Sequence, residues 1–350
     1  MLDWNNGMKN NEINILQIIA KPELSKFEQK YFKNNIQNFF DYKFFSLLEK
    51  HKIQFLLYKH LLDNNLLALQ DLHPYIISLG ERFVFLQSKY NEYIDILKKI
   101  TEQLNNECIN YTVLKGFSLI HDFYTFNNSV FRNFNDIDFL IDKSNISVFN
   151  DILLKSEFIQ GILSSDYTII PADKKEILYW RLNSHQEHDY IKPSIYSNLA
   201  PQSYLSIDLN FSIFKGGKYD DPIPTEKLLE SRRLHKIDNF QFYSLGYTEE
   251  LLQLCYHFYK DLNYDNKIDL SEDINLIKFS DIRLYIINNK DKIDWEKFMY
   301  MICSNNIYDE IEQVMCYIME FYNDNNINEV VKKYFTNDNY KLNWDKILTV

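Results

Sequence analysis

The chain has 350 residues, a net charge of −11 and 46% hydrophobic residues, a composition that supports a folded core and excludes a wholly disordered chain. The excess of acids disfavours a protein that binds nucleic acid over its whole surface, because phosphate contacts need clustered Lys and Arg. The seven glycines match neither G-x-G-x-x-G nor G-x-x-x-x-G-K-[ST], which excludes the dinucleotide-binding fingerprint, the P-loop and the protein-kinase glycine loop.

Helices are predicted over roughly residues 13–103, where apolar residues recur at helical spacing. Pro22 and Pro74 fall between these periodic segments, where helices are expected to begin. Residues 82–105 form one long amphipathic segment. We interpret residues 1–105 as an N-terminal helical region that packs as a scaffold.

Short strands are predicted after Cys108, from β-branched, aromatic and alternating residues. They lie at 111–114, 136–142, 168–170, 177–180 and 204–211. Helices are predicted at 117–124 and 147–156, the second ending near Gly161. The alternation of β and α segments predicts an α/β (α+β) core over residues 106–215, with a small mixed or antiparallel sheet.

Residues 216–350 are predicted to form a mainly helical C-terminal domain. Gly216-Gly217 with Pro222 and Pro224 marks a loop and a domain boundary, and Asp238-Asn239 is the predicted turn of a hairpin. Apolar stripes at helical spacing follow, at 251–258, 282–287, 295–302 and 311–321. The tail after Asn323 is polar, and we expect it to be marginally ordered up to Trp344.

The four cysteines form no C-x-x-C pair, which excludes zinc ribbons and thioredoxin-type chemistry and disfavours a disulfide framework. The N-terminus is polar, and no apolar run reaches the roughly 18 residues that a membrane span needs. We therefore expect a soluble cytoplasmic protein without a membrane partner.

Three acids lie on predicted strands. Asp136 and Asp138 are residues i and i+2 of one strand, so their side chains point to the same side, and Asp208 can join them from a neighbouring strand. Three clustered carboxylates repel one another, and a divalent cation relieves that repulsion. Because Mg²⁺ is usually shared between carboxylates and substrate phosphates, the pattern predicts metal-dependent phosphoryl-transfer chemistry.

A predicted strand–helix corner, Lys115-Gly116-Phe117-Ser118, precedes these acids. Gly116 would let the backbone approach a phosphate closely, and the N-terminus of the following helix favours negative charge. Ser118 could add a hydroxyl donor, and Lys115 and Arg132 could supply positive charge. For these two cations, surface charges or structural ion pairs remain the alternative.

These features resemble the nucleotidyltransferase superfamily with the polymerase-β-like palm, whose signature is a glycine–serine corner, Asp-x-Asp and a later lone Asp. The chain is more closely similar to the bacterial family labelled uncharacterised nucleotidyltransferase, over about residues 20–320. The matching positions are Leu114-Lys115-Gly116, Tyr124, Arg132, Asp136-Ile137-Asp138, His185, Glu187, His188 and Ile207-Asp208-Leu209. Two positions depart from the family pattern: Ser118 lies one place late, and Asn210-Phe211 replaces the usual His-Trp.

The resemblance implies a palm flanked by helical regions, and transfer of a nucleoside monophosphate from a nucleoside triphosphate such as ATP to a small-molecule or peptide acceptor in a bacterial biosynthetic or modification pathway. Mg²⁺ or Mn²⁺ would be the cofactor. The catalytic metal ligands would be Asp136, Asp138 and Asp208. The nucleotide-binding residues would be Lys115, Gly116, Ser118 and Arg132. His188 would line the cleft.

Two alternatives remain open. The same fold could transfer another group, such as a sugar, in natural-product or peptide tailoring, or the chain could be a non-catalytic, antitoxin-like binding module. Retention of all three acids argues against the binding module, because a decayed site tends to lose one. Zinc at His185-x-x-His188 is disfavoured, because H-E-x-x-H needs its histidines at i and i+4 on a helix. His257, on an amphipathic segment, fits a core histidine better than a site residue.

Overall fold

The computed structural model describes residues 4–68, 73–214, 223–237, 240–262, 275–335 and 340–349. Its N-terminal region is helical, as predicted. The helices are α1 (Trp4–Ile19), α2 (Lys26–Asn35), α3 (Tyr42–Lys50), α4 (Gln54–Asp63) and α5 (Pro74–Asn106). Ser25 and Glu28 form a capping box at the start of α2, and Pro74 occupies the first turn of α5, where its missing N–H costs nothing.

A mixed sheet forms the centre of the fold. Its strands and a separate two-stranded pair are β1 (Tyr111–Leu114), β2 (Thr125–Phe126), β3 (Ser129–Val130), β4 (Asp136–Ile141), β5 (Ile159–Leu163), β6 (Ile169–Pro171), β7 (Tyr190–Pro193), β8 (Tyr204–Asn210), β9 (Arg233–Ile237) and β10 (Phe240–Ser244). The sheet has the order β6-β5-β7-β8-β4-β1-β10-β9, and β2 pairs with β3 apart from it. Strand β4 runs parallel to β8, and β1 runs parallel to β10; the other neighbours are antiparallel. The predicted mixed α/β fold class is confirmed, with a sheet larger than the small one expected.

Further helices cover the sheet and build the C-terminal region. They are α6 (Lys115–Phe123), α7 (Ile146–Lys155), α8 (Lys174–Asn183), α9 (Thr225–Glu230), α10 (Tyr247–Leu262), α11 (Leu276–Asn289), α12 (Trp295–Ser304), α13 (Tyr308–Tyr322), α14 (Asn325–Tyr334) and α15 (Trp344–Leu348). One hydrophobic core includes residues of α5, α7 and the sheet, among them Ile137 and Phe139 of β4. A second core joins the N- and C-terminal helices and contains Leu140. Because alternate residues of a strand point to opposite faces, the sheet separates the two cores.

Three local predictions are wrong. Residues 177–180 belong to α8, because Asp173 caps this helix by accepting hydrogen bonds from the backbone N–H groups of Lys175 and Glu176. Gly161 lies inside β5 and does not end α7. Most of the described tail after Asn323 is ordered, because α14 buries Ile327 and its apolar neighbours in the second core.

Parts of two predicted loops lie outside the described residues. Gly216, Gly217 and Pro222 fall there, and so does the Asp238-Asn239 turn. The strands flanking that turn, β9 and β10, pair antiparallel as a hairpin requires. Because β10 joins β1, the sheet continues across the boundary predicted at residues 215–216, and the three-part division stays a prediction.

No helix in the described ranges combines the length and apolar character that crossing a membrane requires. None of the four cysteines, which all lie in the described ranges, forms a disulfide; Cys255 and Cys316 are buried, and Cys108 and Cys303 are exposed.

Candidate active site

The three predicted acids meet on one face of the sheet. Asp138 of β4 is in register with Asp208 of the parallel strand β8, and Asp136 precedes Asp138 by two residues. Residues in register on neighbouring strands point to the same face, so the three carboxylates face away from the core that contains Ile137. Asp138 is buried, and β4 is buried on both faces after Asp136, because it is a central strand.

A fourth acid, Asp189, extends this acidic cluster. It immediately precedes β7, next to the pair of Tyr190 with Ile207. Burial and the Asp138 carboxylate raise the pKa of Asp136 to about 6. Burial and the carboxylates of Asp138, Asp136 and Asp189 hold the pKa of Asp208 well above its usual range. The cluster therefore contains mutually repelling carboxylates that favour a nearby cation.

Lys115 supplies a cation in this structure. Its Nζ lies 2.6 Å from Oδ1 of Asp138, and Nδ2 of Asn210 donates to the same oxygen over 3.2 Å. Burial lowers the pKa of Lys115, but the carboxylates of Asp138 and Asp136 outweigh that effect and raise it. Asn210, which replaces the histidine usual in the family, thus contacts the acidic cluster through its amide.

The donor set suits a hard divalent cation. Among the described residues no group of three His, Cys, Asp or Glu side chains is arranged to hold a metal ion as it stands. The oxygen donors and the repulsion in the acidic cluster nevertheless match the chemistry of Mg²⁺, which accepts few protein carboxylates and keeps its remaining positions for water and phosphate. The acidic cluster thus matches Mg²⁺ in its negative charge and in its oxygen ligands.

The strand–helix corner differs from its prediction. Lys115, the first residue of α6, has a left-handed backbone, with φ of 53°. At Gly116 a Cβ atom would lie 2.2 Å from Nη1 of Arg132. Glycine is therefore required here because a guanidinium group packs against its Cα, and the space predicted for a phosphate is partly filled by Arg132.

Arg132 forms a buried ion pair. Its Nε donates to Oδ1 of Asp281 over 3.0 Å and its Nη2 donates to Oδ2 over 2.6 Å, while Nη1 donates to the Asn133 carbonyl over 3.2 Å. The Tyr124 hydroxyl also donates to Asp281, over 2.7 Å. The structural alternative predicted for Arg132 is thus present, although its side chain still lines the cleft.

Two predicted site residues do not reach the cleft. Ser118 is buried and its hydroxyl donates to the Lys115 carbonyl and lies 2.6 Å from Oε1 of Glu250, because its position one turn into α6 faces α10. His188 is buried beside α8, with its Nε2 atom 3.3 Å from Oε1 of Glu176 and its ring against Trp180. Neither side chain lines the described cavity.

A cleft of about 180 Å³ opens beside Asp136 and Asp138. Basic and polar side chains from three parts of the chain line it: Lys52, Lys115, Arg132, His257, Asn275 and Lys278. No local pattern predicts a site role for Lys52, Asn275 or Lys278, which are single residues outside any motif. Asp189 had one weak signal, an acid directly before a strand. His257 lines the cleft rather than the core, and burial together with Lys115 and Lys278 holds its pKa well below the usual range.

Sequence similarity covers most of the chain. The sequence profile of a family described as uncharacterised nucleotidyltransferase matches residues 41–323, a range that contains all four acids of the cluster. The crystal structure of a candidate nucleotidyltransferase from Thermotoga maritima is 20% identical in sequence; the match covers 50% of this chain and 86% of the other, with a TM-score of 0.30. No curated protein matches the chain.

We expect Gly116→Ala to destabilise the fold. The new Cβ would overlap Arg132, which cannot move away without breaking its buried ion pair, so the free energy of unfolding in urea should fall by about 3 kcal/mol or more. Gly80→Ala, inside α5, is the control: its Cβ would lie 3.1 Å from the Tyr58 hydroxyl oxygen, the end of a partly exposed side chain, and the substitution should change the free energy of unfolding by no more than about 1 kcal/mol. Equal urea midpoints for Gly116→Ala and the wild type would contradict the packing argument.

Arg132→Gln should also destabilise the protein, by about 3–5 kcal/mol, because it leaves the Asp281 carboxylate buried and unpaired. Scanning calorimetry would measure this as a lower unfolding temperature. The double variant Arg132→Gln/Asp281→Asn removes that charge and should be more stable than Arg132→Gln alone. A double variant no more stable than Arg132→Gln would show that the unpaired Asp281 carboxylate does not cause the loss of stability.

Proposed function

We propose that this chain, which belongs to the uncharacterised nucleotidyltransferase family, transfers a nucleoside monophosphate from a nucleoside triphosphate to a hydroxyl group of a small-molecule or peptide acceptor. One observation carries the proposal: Asp136, Asp138 and Asp208 share one face of the sheet beside a cleft lined by cations. The net charge of −11 favours such acceptors over a nucleic acid, which would need a basic surface.

Asp136, Asp138 and Asp208 would hold Mg²⁺ or Mn²⁺, because carboxylates are the ligands that these ions prefer and because the three charges repel one another. When bound, such ions neutralise phosphate charge and stabilise the attacking and leaving oxygens of a phosphoryl transfer. Lys115 would contribute a further positive charge, and Arg132, held rigidly by Asp281, would keep a fixed positive charge in the cleft wall.

The position of the acids divides the site between two substrates. Asp136 and Asp138 line the cleft, whereas Asp208 lies beyond its wall, on the side of β7. We therefore assign the nucleotide to the cleft and the acceptor to the side of Asp208. Asp208 is half-buried, so its carboxylate could accept the proton of an acceptor hydroxyl.

The proposed reaction is a single displacement at the α-phosphorus. The acceptor oxygen forms a bond to this phosphorus, and the bond from the phosphorus to the oxygen bridging to the β-phosphate breaks. Pyrophosphate leaves with the bonding electron pair, and the hydroxyl proton passes to Asp208. The products are the nucleotidylated acceptor and pyrophosphate.

Asp136→Asn/Asp138→Asn should abolish Mg²⁺-dependent binding of nucleoside triphosphates. Calorimetric titration with non-hydrolysable analogues of the four triphosphates, in Mg²⁺ and in EDTA, would compare it with the wild type. We expect wild-type affinity to fall at least about tenfold in EDTA and the variant to be insensitive to Mg²⁺. Asp151→Asn, which changes an exposed acid of α7, is the matched control.

Two results would contradict the proposal: binding by the wild type that ignores Mg²⁺, or Mg²⁺-dependent binding that survives in the double variant. The group transferred is then identified by mass spectrometry of acceptor pools. A gain equal to a nucleoside monophosphate supports nucleotidyl transfer, whereas a gain equal to a sugar supports the alternative reaction.

Asp208→Asn should separate stability from function. Removing a carboxylate that Asp138, Asp136 and Asp189 repel should raise the thermal unfolding temperature in EDTA by a few degrees, roughly 1 kcal/mol. The same variant should lose transfer activity at least about a hundredfold, because the carboxylate that accepts the hydroxyl proton is gone. A less stable variant with full activity would refute the role assigned to Asp208.

A further inference from the structure

Three side chains in the cleft take no part in the reaction as derived so far. Lys52 follows α3, Asn275 precedes α11, and Lys278 lies in the first turn of α11. We call the two lysines, together with the neutral Asn275 in the same cleft lining, the cationic wall. They come from the N- and C-terminal helical regions, which pack together in the second core, so the fold brings the positive charges of Lys52 and Lys278 to the carboxylates from outside the sheet.

Lys278 is a lysine held among other cations. Its side chain is 19% exposed and pairs with Asp261, which also contacts His257. Burial and the charges of Lys52 and Lys115 lower the pKa of Lys278 to about 7. Asp261 offsets part of this positive charge and Asp281 is engaged by Arg132, so an additional anion beside Lys52 and Lys278 would be stabilised.

Lys52 is exposed and forms no ion pair with the described residues. Its side chain lines the same cleft as Asp136 and Asp138. Its backbone has φ of 56°, which places the residue in a tight turn between α3 and α4. The turn fixes the backbone of Lys52, and its long side chain can reach an anion in the cleft.

Asn275 provides an independent sign of a missing ligand. It is 2% exposed, and its Oδ1 atom has no hydrogen-bond partner in the described part of the chain. A buried amide oxygen without a donor is unfavourable, and a flip of the amide would present its NH₂ group to an anion in the cleft. Asn275 is the N-cap of α11, whose N-terminal end also favours negative charge.

We propose that the cationic wall binds the β- and γ-phosphates of the nucleotide, as a site for a polyphosphate chain. Lys52 and Lys278 neutralise the outer phosphates, and Asn275 donates a hydrogen bond to one of them. The α-phosphate then lies next to Asp136 and Asp138. This inference rests on the proposed function for the identity of the ligand, but the polyphosphate chemistry of the wall can be tested without turnover.

The test is calorimetric titration of the full chain in EDTA with inorganic tripolyphosphate, a non-hydrolysable ATP analogue and AMP. We expect the wild type to bind both triphosphates at least about tenfold more tightly than AMP. Lys52→Gln and Lys278→Gln should each weaken binding of the triphosphates about tenfold and leave AMP affinity unchanged. Lys236→Gln, at an exposed position of β9 outside the cleft, is the matched control.

Three results would overturn the inference: no binding of tripolyphosphate by the wild type, unchanged triphosphate affinity in both variants, or equal losses for AMP and triphosphates. Lys278→Gln could unfold, because Asp261 loses its lysine partner. The Lys52→Gln variant then decides the test, because Lys52 is exposed and forms no ion pair in the described ranges. A transfer assay in Mg²⁺ separates the two proposals. Tripolyphosphate binding through the wall without any nucleotidyl transfer refutes the proposed function alone, whereas transfer with unchanged KM in both variants refutes the wall alone.

Discussion

The parallel pairing of β4 with β8 sets Asp138 beside Asp208 and so concentrates negative charge at one point of the sheet. Much of the surrounding structure compensates for that charge. Lys115 reaches Asp138 from a corner with left-handed backbone, and Asn210 donates to the same carboxylate. A protein keeps such a costly arrangement only where the packing around it holds it in place, which here is a central strand buried on both faces.

Local sequence patterns are sufficient to predict the two strands that carry the acids. The alternation of acids and apolar residues located β4, and a lone acid in an apolar run located β8, because both signals depend on the two-residue period of a strand. Residues 177–180 form a helix although their β-branched and aromatic composition suits a strand, because Asp173, four residues before Ile177, caps the helix that contains them.

The remainder of the site depends on tertiary contacts that no local pattern encodes. Ser118 and His188 are near the site in sequence, but Glu250 and α8 respectively hold their side chains elsewhere. Lys52 and Lys278 are distant in sequence, yet the packing of the two helical regions brings both into the cleft. Gly116 has a steric role that its local sequence does not reveal, because the neighbour that excludes a side chain is Arg132.

Lys115 has a single ammonium group but two anions that compete for it. In this structure the ammonium group forms an ion pair with Asp138, and in the proposed reaction it also binds a phosphate. Any cation that neutralises Asp138 would therefore free Lys115 and raise the affinity of the site for phosphate. By thermodynamic reciprocity, phosphate would raise the affinity for that cation by the same factor, so the ammonium couples the two ligands energetically even though they occupy separate positions.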